Sequence, residues 1–116
     1  MAPSSTGAVV LVPFPFSNLA QAKLRPALVL ASAANGDWIL CQITSNPFFD
    51  LTAVEIQGGD FSEGSLHRIS YARPGKLFTA HESLFISEAG KLSKPKFATI
   101  LAAIERTFAD GLLDYK

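Results

Sequence analysis

The stretch from Ala27 to Thr44, ALVLASAANGDWILCQIT, holds two apolar runs on either side of Asn35-Gly36. Asn-Gly readily adopts the positive φ angles of a type I′ turn, so the pattern predicts a β-hairpin. Its strands are expected over residues 27–31 and 38–44. Pairing outward from the turn sets residues near 26–27 opposite residues near 43–44, and Arg25 is therefore expected to meet Thr44 at the open end of the hairpin.

Further strands are predicted on both sides of this hairpin. Continuous or alternating runs of apolar residues indicate strands over 7–12, 51–56 and 65–71. Arg73-Pro-Gly-Lys76 is typical of a turn, Leu77-Phe78 of a short strand, and Leu84–Ile86 of either a short strand or a single helical turn.

The C-terminal segment has helical periodicity. Ser93 is a suitable N-cap with Pro95 in the first turn. The apolar side chains that follow recur on one helical face: Phe97, Ile100, Leu101, Ile104 and Phe108. A helix with one apolar face must cover the sheet. The sequence thus predicts one domain over 1–116, a small curved β-barrel with a C-terminal helix, preceded by a disordered tail at 1–6.

Composition restricts the possible functions. The 116 residues include ten basic and ten acidic side chains, so no global field attracts nucleic acid, and any polyanion site must be a local patch. The single cysteine, Cys41, excludes an internal disulfide and fits a reducing compartment. The apolar runs are too short to span a membrane, and the N-terminus lacks a signal-peptide pattern. We expect a cytoplasmic protein without a membrane partner.

Several common chemistries have no support in the sequence. His67 and His81 lack metal-ligand spacing, so neither a metal site nor another cofactor is expected. The nucleophile elbow of hydrolases and the phosphate-binding P-loop are both missing. Cys41 lies in mid-strand with no basic neighbour, which favours a buried, inert thiol.

The remaining candidates for a functional site are polar side chains at the ends of predicted strands. The segment before the second strand contributes Ser17, Asn18, Gln21, Lys23 and Arg25, and the end of the third contributes Thr44, Ser45 and Asn46. The hairpin register unites them in one candidate site. A solvated strand edge and a simple strand terminator are the alternative interpretations, and chemistry alone leaves both open.

These residues also carry a family resemblance. The string VVLVPFPFSN from Val9, then Lys23-x-Arg-Pro-Ala-Leu-Val-Leu30, resembles the MazF/PemK toxins of type II toxin–antitoxin systems. Cys41-Gln-Ile-Thr-Ser45 resembles the strand of that family which ends in Thr or Ser, and Arg73-Pro-Gly-Lys-Leu-Phe-Thr79 resembles part of its C-terminal half. The likeness covers about residues 7–108.

The resemblance implies an SH3-like barrel, commonly a homodimer, that cleaves single-stranded mRNA without a metal and is neutralised by a cognate antitoxin. It implies Arg25 and Thr44 as the catalytic pair. The other polar residues are then RNA-binding candidates: Ser17, Asn18, Gln21, Lys23, Ser45 and Asn46. RNA supplies its own nucleophile, the 2′-hydroxyl, so the protein need only orient the phosphate and stabilise its charge.

The first loop differs from the family pattern. Many members have an acidic residue and a glycine shortly before Arg-Pro, where this chain has Ala20-Gln-Ala-Lys23. A catalytically weak or inactive toxin-like module that binds a protein, either an antitoxin or a gyrase-like target, is therefore the main alternative. A third hypothesis is an SH3-like adaptor for extended peptides, with its groove built from loop aromatics: Phe14, Phe16, Phe48 and Phe49.

Overall fold

The computed structural model describes residues 6–14 and 23–116, and these form one curled antiparallel sheet and one helix. The elements in chain order are β1 (Ala8–Pro13), β2 (Leu24–Ser32), β3 (Asp37–Thr44), β4 (Val54–Ile56), β5 (Phe61–Gly64), β6 (Ser70–His81), β7 (Ser87–Leu92) and α1 (Lys94–Asp114). The strands are ordered β4-β6-β3-β2-β1-β7-β5. The predicted class, mainly β with a C-terminal helix, is confirmed.

The β2–β3 hairpin forms as its sequence predicts. Asn35 and Gly36 have φ angles of 57° and 82°, and the Asp37 amide donates to the Ala34 carbonyl at 3.0 Å. Ala34 itself has a φ of 76°, so the turn has one more left-handed residue than a two-residue turn requires.

β6 differs most from the sequence-based expectation. The predicted strand over 65–71 is wrong because β6 starts only at Ser70, after a loop in which His67 has a φ of 62°. The predicted turn at residues 73–76 is also wrong, since β6 runs on to His81. Its pairing with β3 jumps from Cys41–Leu77 to Ile43–Ala72, so residues 73–76 form a bulge. A bulge accommodates Pro74, which has no amide hydrogen for the ladder.

Smaller differences concern the remaining strands. The predicted strand over 51–56 begins only at Val54, because Asp50 accepts hydrogen bonds from the Thr52 amide and hydroxyl and closes a turn. β5 and β7 were not expected. For residues 84–86 the helical alternative is correct in part, since a 3-10 turn covers Glu82–Leu84.

The apolar runs of the central strands are buried on both faces. Along β2, Leu28 packs in one core cluster and Val29 in the other, and Cys41 and Leu40 divide in the same way on β3. Since successive side chains point to opposite faces, both faces of these strands are covered. Phe78 packs against the second cluster. The ring of the buried Phe14 meets that of Phe78 edge to face, with the ring centroids 5.5 Å apart.

Helix α1 covers the first cluster with its N-terminal half. The Ser93 hydroxyl accepts from the Lys96 amide at 3.4 Å, which confirms the predicted cap. Ile100 and Ile104 are buried, and each contributes about 1.5–3 kcal/mol of burial free energy. The predicted apolar face is not buried along its whole length, because Phe108 is 66% exposed, and the following Leu112, which was not part of the prediction, is 74% exposed. No helix of the described residues is long and apolar enough to cross a membrane.

Candidate active site at the open end of the hairpin

The strand register brings Arg25 beside Thr44. β2 and β3 pair through Ala27–Gln42 and Leu28–Cys41, and continuing this register by two residues sets Arg25 level with Thr44. On its other side Thr44 pairs with Tyr71 of β6. The end of β3 therefore lies between β2 and the start of β6.

A cleft of about 250 Å³ opens at this end of the hairpin. It is lined by Leu11, Leu24, Arg25, Pro26, Ile43, Thr44, Ser45, Leu66, Arg68 and Ser70. Arg25 is partly buried and Thr44 almost wholly, whereas Ser45 is exposed. The expectation that Arg25 and Thr44 meet is thus confirmed. Their chemical roles remain a prediction.

The Thr44 hydroxyl is held by a local turn. It donates to the Asn46 carbonyl at 3.0 Å and accepts from the Asn46 amide at 3.2 Å. A hydroxyl has only one hydrogen to donate. Thr44 can donate to a phosphate oxygen only if it gives up the bond to the Asn46 carbonyl.

The loop after Thr44 is anchored to β6 by an ion pair. The Arg73 Nε donates to the Asp50 carboxylate at 3.0 Å, and both side chains are largely buried. Hydrogen bonds from Thr52, followed by the Arg73 interaction, lower the pKa of Asp50 below its ordinary value. This loop also exposes Phe48, Phe49 and Leu51, with Phe49 at 99%.

The other predicted binding residues are distributed less tightly. Lys23 and Asn46 are exposed next to Arg25 and Thr44 in the chain, but neither lines the cleft. The Asn46 side-chain oxygen accepts from the Phe48 amide at 3.0 Å. The predictions for Ser17, Asn18 and Gln21 lie outside the described residues.

Sequence reasoning missed Arg68 and Ser70. Both were assigned to one strand, whereas Arg68 lies in a loop over residues 65–69 that reaches the cleft and Ser70 begins β6. Their place at the cleft depends on the pairing of Thr44 with Tyr71, the residue directly after Ser70. Nothing in the sequence pattern indicated that pairing.

The cleft is basic although the chain as a whole has no net charge. Two arginines line it, Arg25 and Arg68, and none of the described residues that line it is acidic. This lining offers two guanidinium groups, the exposed Ser45 hydroxyl, and the Thr44 hydroxyl, which can exchange its bond to the Asn46 carbonyl. Such donors are suited to an anion with several oxygens, such as a phosphodiester. Across residues 6–14 and 23–116, no three His, Cys, Asp or Glu side chains are grouped so that they could hold a metal ion.

Cys41 takes no part in this arrangement. Its side chain is fully buried, and burial raises the pKa of the thiol to about 12. The thiol donates to the Arg73 carbonyl at 3.2 Å. The predicted burial of the thiol is confirmed, and its lack of reactivity remains a prediction.

Solved structures with a similar fold include MazF proteins and mycobacterial endoribonucleases. The chain is similar to the MazE–MazF complex of Deinococcus radiodurans, with a TM-score of 0.73, 18% identity, and coverage of 94% of this chain and 98% of that one. It is similar to the Mycobacterium tuberculosis toxin MazF-mt6, with a TM-score of 0.68, 17% identity, and coverage of 88% and 96%. A mycobacterial endoribonuclease in complex with its cognate antitoxin gives 0.68, 15%, and coverage of 93% and 94%.

The sequence comparisons identify the family. No curated protein sequence matches the chain. Residues 5–108, nearly the whole sequence, match the family described as PemK-like, MazF-like toxin of type II toxin-antitoxin system. The chain therefore belongs to the PemK-like, MazF-like toxin family.

Proposed function

We propose that this protein is the toxin of a type II toxin–antitoxin system, a metal-independent endoribonuclease that cleaves single-stranded mRNA in the cytoplasm. The observation that carries the proposal is the juxtaposition of Arg25 and Thr44 in a basic cleft without acidic lining among the described residues. Family membership supplies the toxin class, and the cleft supplies a site with the right charge for RNA.

In the proposed reaction the RNA 2′-hydroxyl attacks the adjacent phosphorus and the bond to the 5′-oxygen of the next nucleotide breaks. The products are a 2′,3′-cyclic phosphate and a fragment with a 5′-hydroxyl. The 2′-hydroxyl gives up one proton and the leaving 5′-oxygen takes up one, so the step has no net proton change. Negative charge increases on the non-bridging oxygens in the transition state. The Arg25 guanidinium donates two hydrogen bonds to those oxygens and stabilises this charge.

Thr44 supplies a third donor in this proposal. When the phosphate binds, its hydroxyl turns from the Asn46 carbonyl, 3.0 Å away, to a phosphate oxygen. The Asn46 amide, which donates to the same hydroxyl, continues to fix its position. The guanidinium of Arg25 is a poor proton acceptor, so the general base remains unassigned.

The remaining residues bind the rest of the substrate. Lys23 and Ser45 are positioned next to the catalytic pair along the chain and contact phosphates, while Asn46 contacts a base. Ser17, Asn18 and Gln21, which lie between Phe14 and Lys23 in the sequence, are proposed to read base edges.

Cleavage of a mixed-sequence RNA in the presence of EDTA tests this function. The expected result is discrete cutting with 5′-hydroxyl and cyclic phosphate ends, and no cutting of the all-2′-deoxy version of the same sequence. Intact RNA after incubation with pure, folded protein would contradict the proposal. Cutting of the deoxy strand would contradict the 2′-hydroxyl mechanism.

A cognate antitoxin is proposed as the protein partner. The similar toxins from Deinococcus radiodurans and a mycobacterial species were solved with antitoxins, and this chain belongs to the same toxin class. Co-expression of an adjacent small open reading frame should relieve growth arrest and give a stable complex. If arrest persists with every neighbouring frame, the partner assignment fails.

We also propose that the protein is a homodimer. The exposed apolar residues of α1, Leu101, Phe108 and Leu112, continue onto a sheet surface that includes Leu77 and Phe78. Such a continuous surface is costly to leave in water. Light scattering should give twice the monomer mass, and Phe108→Asp should give the monomer mass with an unchanged circular dichroism spectrum. A monomeric wild-type protein at micromolar concentration would contradict dimerisation.

The loop after β3 favours a second candidate function, binding of a target protein without RNA cleavage. Phe48 is 62% exposed, Phe49 99% and Leu51 98%, whereas Phe14 is buried and unavailable to a peptide groove. Growth arrest with intact cellular RNA, abolished by Phe49→Ser, would support this candidate over the endoribonuclease.

A further inference from the structure

Arg68 is presented to the cleft by a short, well-anchored loop. The Ser65 hydroxyl accepts from the His67 amide at 2.9 Å, the Ser65 amide donates to the Ala89 carbonyl at 3.3 Å, and the Ser70 hydroxyl donates to the Arg68 carbonyl at 3.3 Å. His67 between them has a left-handed φ of 62°, an uncommon conformation for a residue other than glycine. Strained, anchored loops of this kind are concentrated at functional sites.

The charge of Arg68 is not used within the described part of the protein. The residue is exposed and lines the cleft, and neither of the ion pairs recorded among the described residues includes it. Three features indicate an anion-binding role: the anchored loop, the lining shared with Arg25, and the lack of an acidic residue in the part of that lining that the structure describes.

Strand geometry separates the position of Arg68 from that of the catalytic pair. Arg25 is level with Thr44, and Thr44 pairs with Tyr71 in antiparallel β6. Residues that precede Tyr71 therefore extend beyond the end of β3, and Arg68 lies past that end. β2 and β6 flank β3, so their backbones are about 10 Å apart, two strand spacings. Arg68 is thus at the mouth of the cleft, whereas Thr44 is buried in it.

We infer that Arg68 binds the phosphodiester next to the one that is cleaved and so fixes the register of single-stranded RNA in the cleft. The inference rests on the proposed ribonuclease function and assigns a positioning residue to the same site. Arg68 donates its two-pronged guanidinium to non-bridging oxygens of that phosphate. It stabilises bound substrate and transition state to the same extent, so its loss acts on binding and leaves the chemical step unchanged.

The experiment compares Arg68→Gln, Arg68→Lys and the matched control Arg106→Gln, an exposed arginine on α1. Cleavage is followed on an RNA that contains one mapped cutting site. Binding is measured over a range of salt concentrations with the same RNA carrying a 2′-deoxy sugar at the cut nucleotide. We expect Arg68→Gln to raise KM about five- to tenfold with kcat within about twofold. Its slope of log K against log salt should decrease by about 0.7, the value for one phosphate contact on a single strand.

Arg68→Lys should restore most of the salt slope because it keeps the charge, and Arg106→Gln should behave as wild type. Two further RNAs carry a neutral methylphosphonate at the phosphate before the cut or at the phosphate after it. At one of these two positions the methylphosphonate should weaken binding to wild type but not to Arg68→Gln. Wild-type KM and salt slope in Arg68→Gln would overturn the inference, as would a fall in kcat with KM unchanged. If wild type binds the RNA in this way without cutting it, the proposed catalytic function fails and the assignment of Arg68 stands.

Discussion

The two ends of the β2–β3 hairpin are built from the same strands, but their polar groups are used differently. At the turn, the Ala33 amide bonds to the Asp37 carbonyl at 2.8 Å, and the Glu82 amide bonds to the Gly36 carbonyl at 2.8 Å. At the open end, Arg25 lines a cleft in which the described residues supply no carboxylate, and the Thr44 hydroxyl has a bond that it can exchange.

We expect this difference to separate stability from function along a single hairpin. Polar groups at the turn are satisfied within the protein, so changes there should affect the free energy of unfolding. Donors at the open end have capacity left for a ligand, so changes there should affect catalysis and leave the fold intact.

The largest effect is expected for Arg25→Ala at the open end. Removal of a preorganised donor to the transition-state phosphate should reduce kcat/KM by about 10²–10³-fold. The free energy of unfolding should change by less than about 1 kcal/mol, since the side chain is only partly buried. Single-turnover cleavage and urea unfolding measure the two quantities on the same preparation.

Lys116→Ala, a change at an exposed terminal residue, is the control and should retain full activity. Arg25→Lys should recover only part of the rate, because lysine keeps the charge but lacks the two-pronged geometry. If Arg25→Ala and Thr44→Ala both cleave at the wild-type rate, the open end is not the active site.

At the turn, Gly36→Ala should have the opposite profile. Gly36 has a φ of 82°, and an added Cβ would lie 2.6 Å from His81 Nε2. The backbone strain costs about 1–2 kcal/mol, and displacement of the imidazole adds to it. We expect a loss of about 2 kcal/mol in unfolding free energy, with unchanged kcat for the folded fraction.

The His81→Ala background distinguishes the two contributions. In that background Gly36→Ala should cost about 1 kcal/mol less, since the clash is removed and only the backbone strain remains. An equal cost in both backgrounds would show that the His81 ring moves aside freely. A fall in kcat of the folded protein would show that the two ends are coupled.

A smaller effect is expected at Asp50, which anchors the loop that follows Thr44. Asp50→Asn should cost about 1 kcal/mol at neutral pH, the upper end of the range for an ion pair that is largely but not fully buried. Because the pKa of Asp50 is lowered in the folded protein, its contribution is present above the ordinary value of 3.8 and is lost as the pH falls below it. The unfolding free energies of variant and wild type should therefore converge in acid, and a constant difference from pH 7 to pH 2 would contradict the ion-pair role.

Local sequence chemistry predicted the parts of the fold that depend on local rules. Asn35-Gly36 defined the hairpin, and Ser93 with Pro95 defined the start of α1. β6 could not be predicted in the same way, since Pro74 normally ends a strand and here lies in a bulge opposite the neighbouring β3. Phe108 was assigned to the face that covers the sheet because periodicity shows that a face is apolar without showing what covers it.

The same limit applies to the candidate site. Hairpin register was sufficient to bring Arg25 to Thr44, because both strands belong to one local unit. Arg68 reaches the cleft through pairing between β3 and β6, which are separated by 25 residues and two other strands, counted from Thr44 to Ser70. That pairing depends on the tertiary structure, and no spacing or motif in the sequence indicates it.

The smallest effect on either end is expected for Cys41, which lies on β3 between them. The thiol is fully buried and its pKa is raised to about 12, so iodoacetamide at pH 8 should label it only as fast as the protein unfolds. Cys41→Ala should leave cleavage unchanged.

Because the folded thiol holds its proton more tightly than the unfolded one, wild type should lose stability between about pH 9 and pH 12, and Cys41→Ala should lose less over that range. Rapid labelling of the folded protein would mean that β3 opens locally, and stability and function could then not be assigned separately to its two ends.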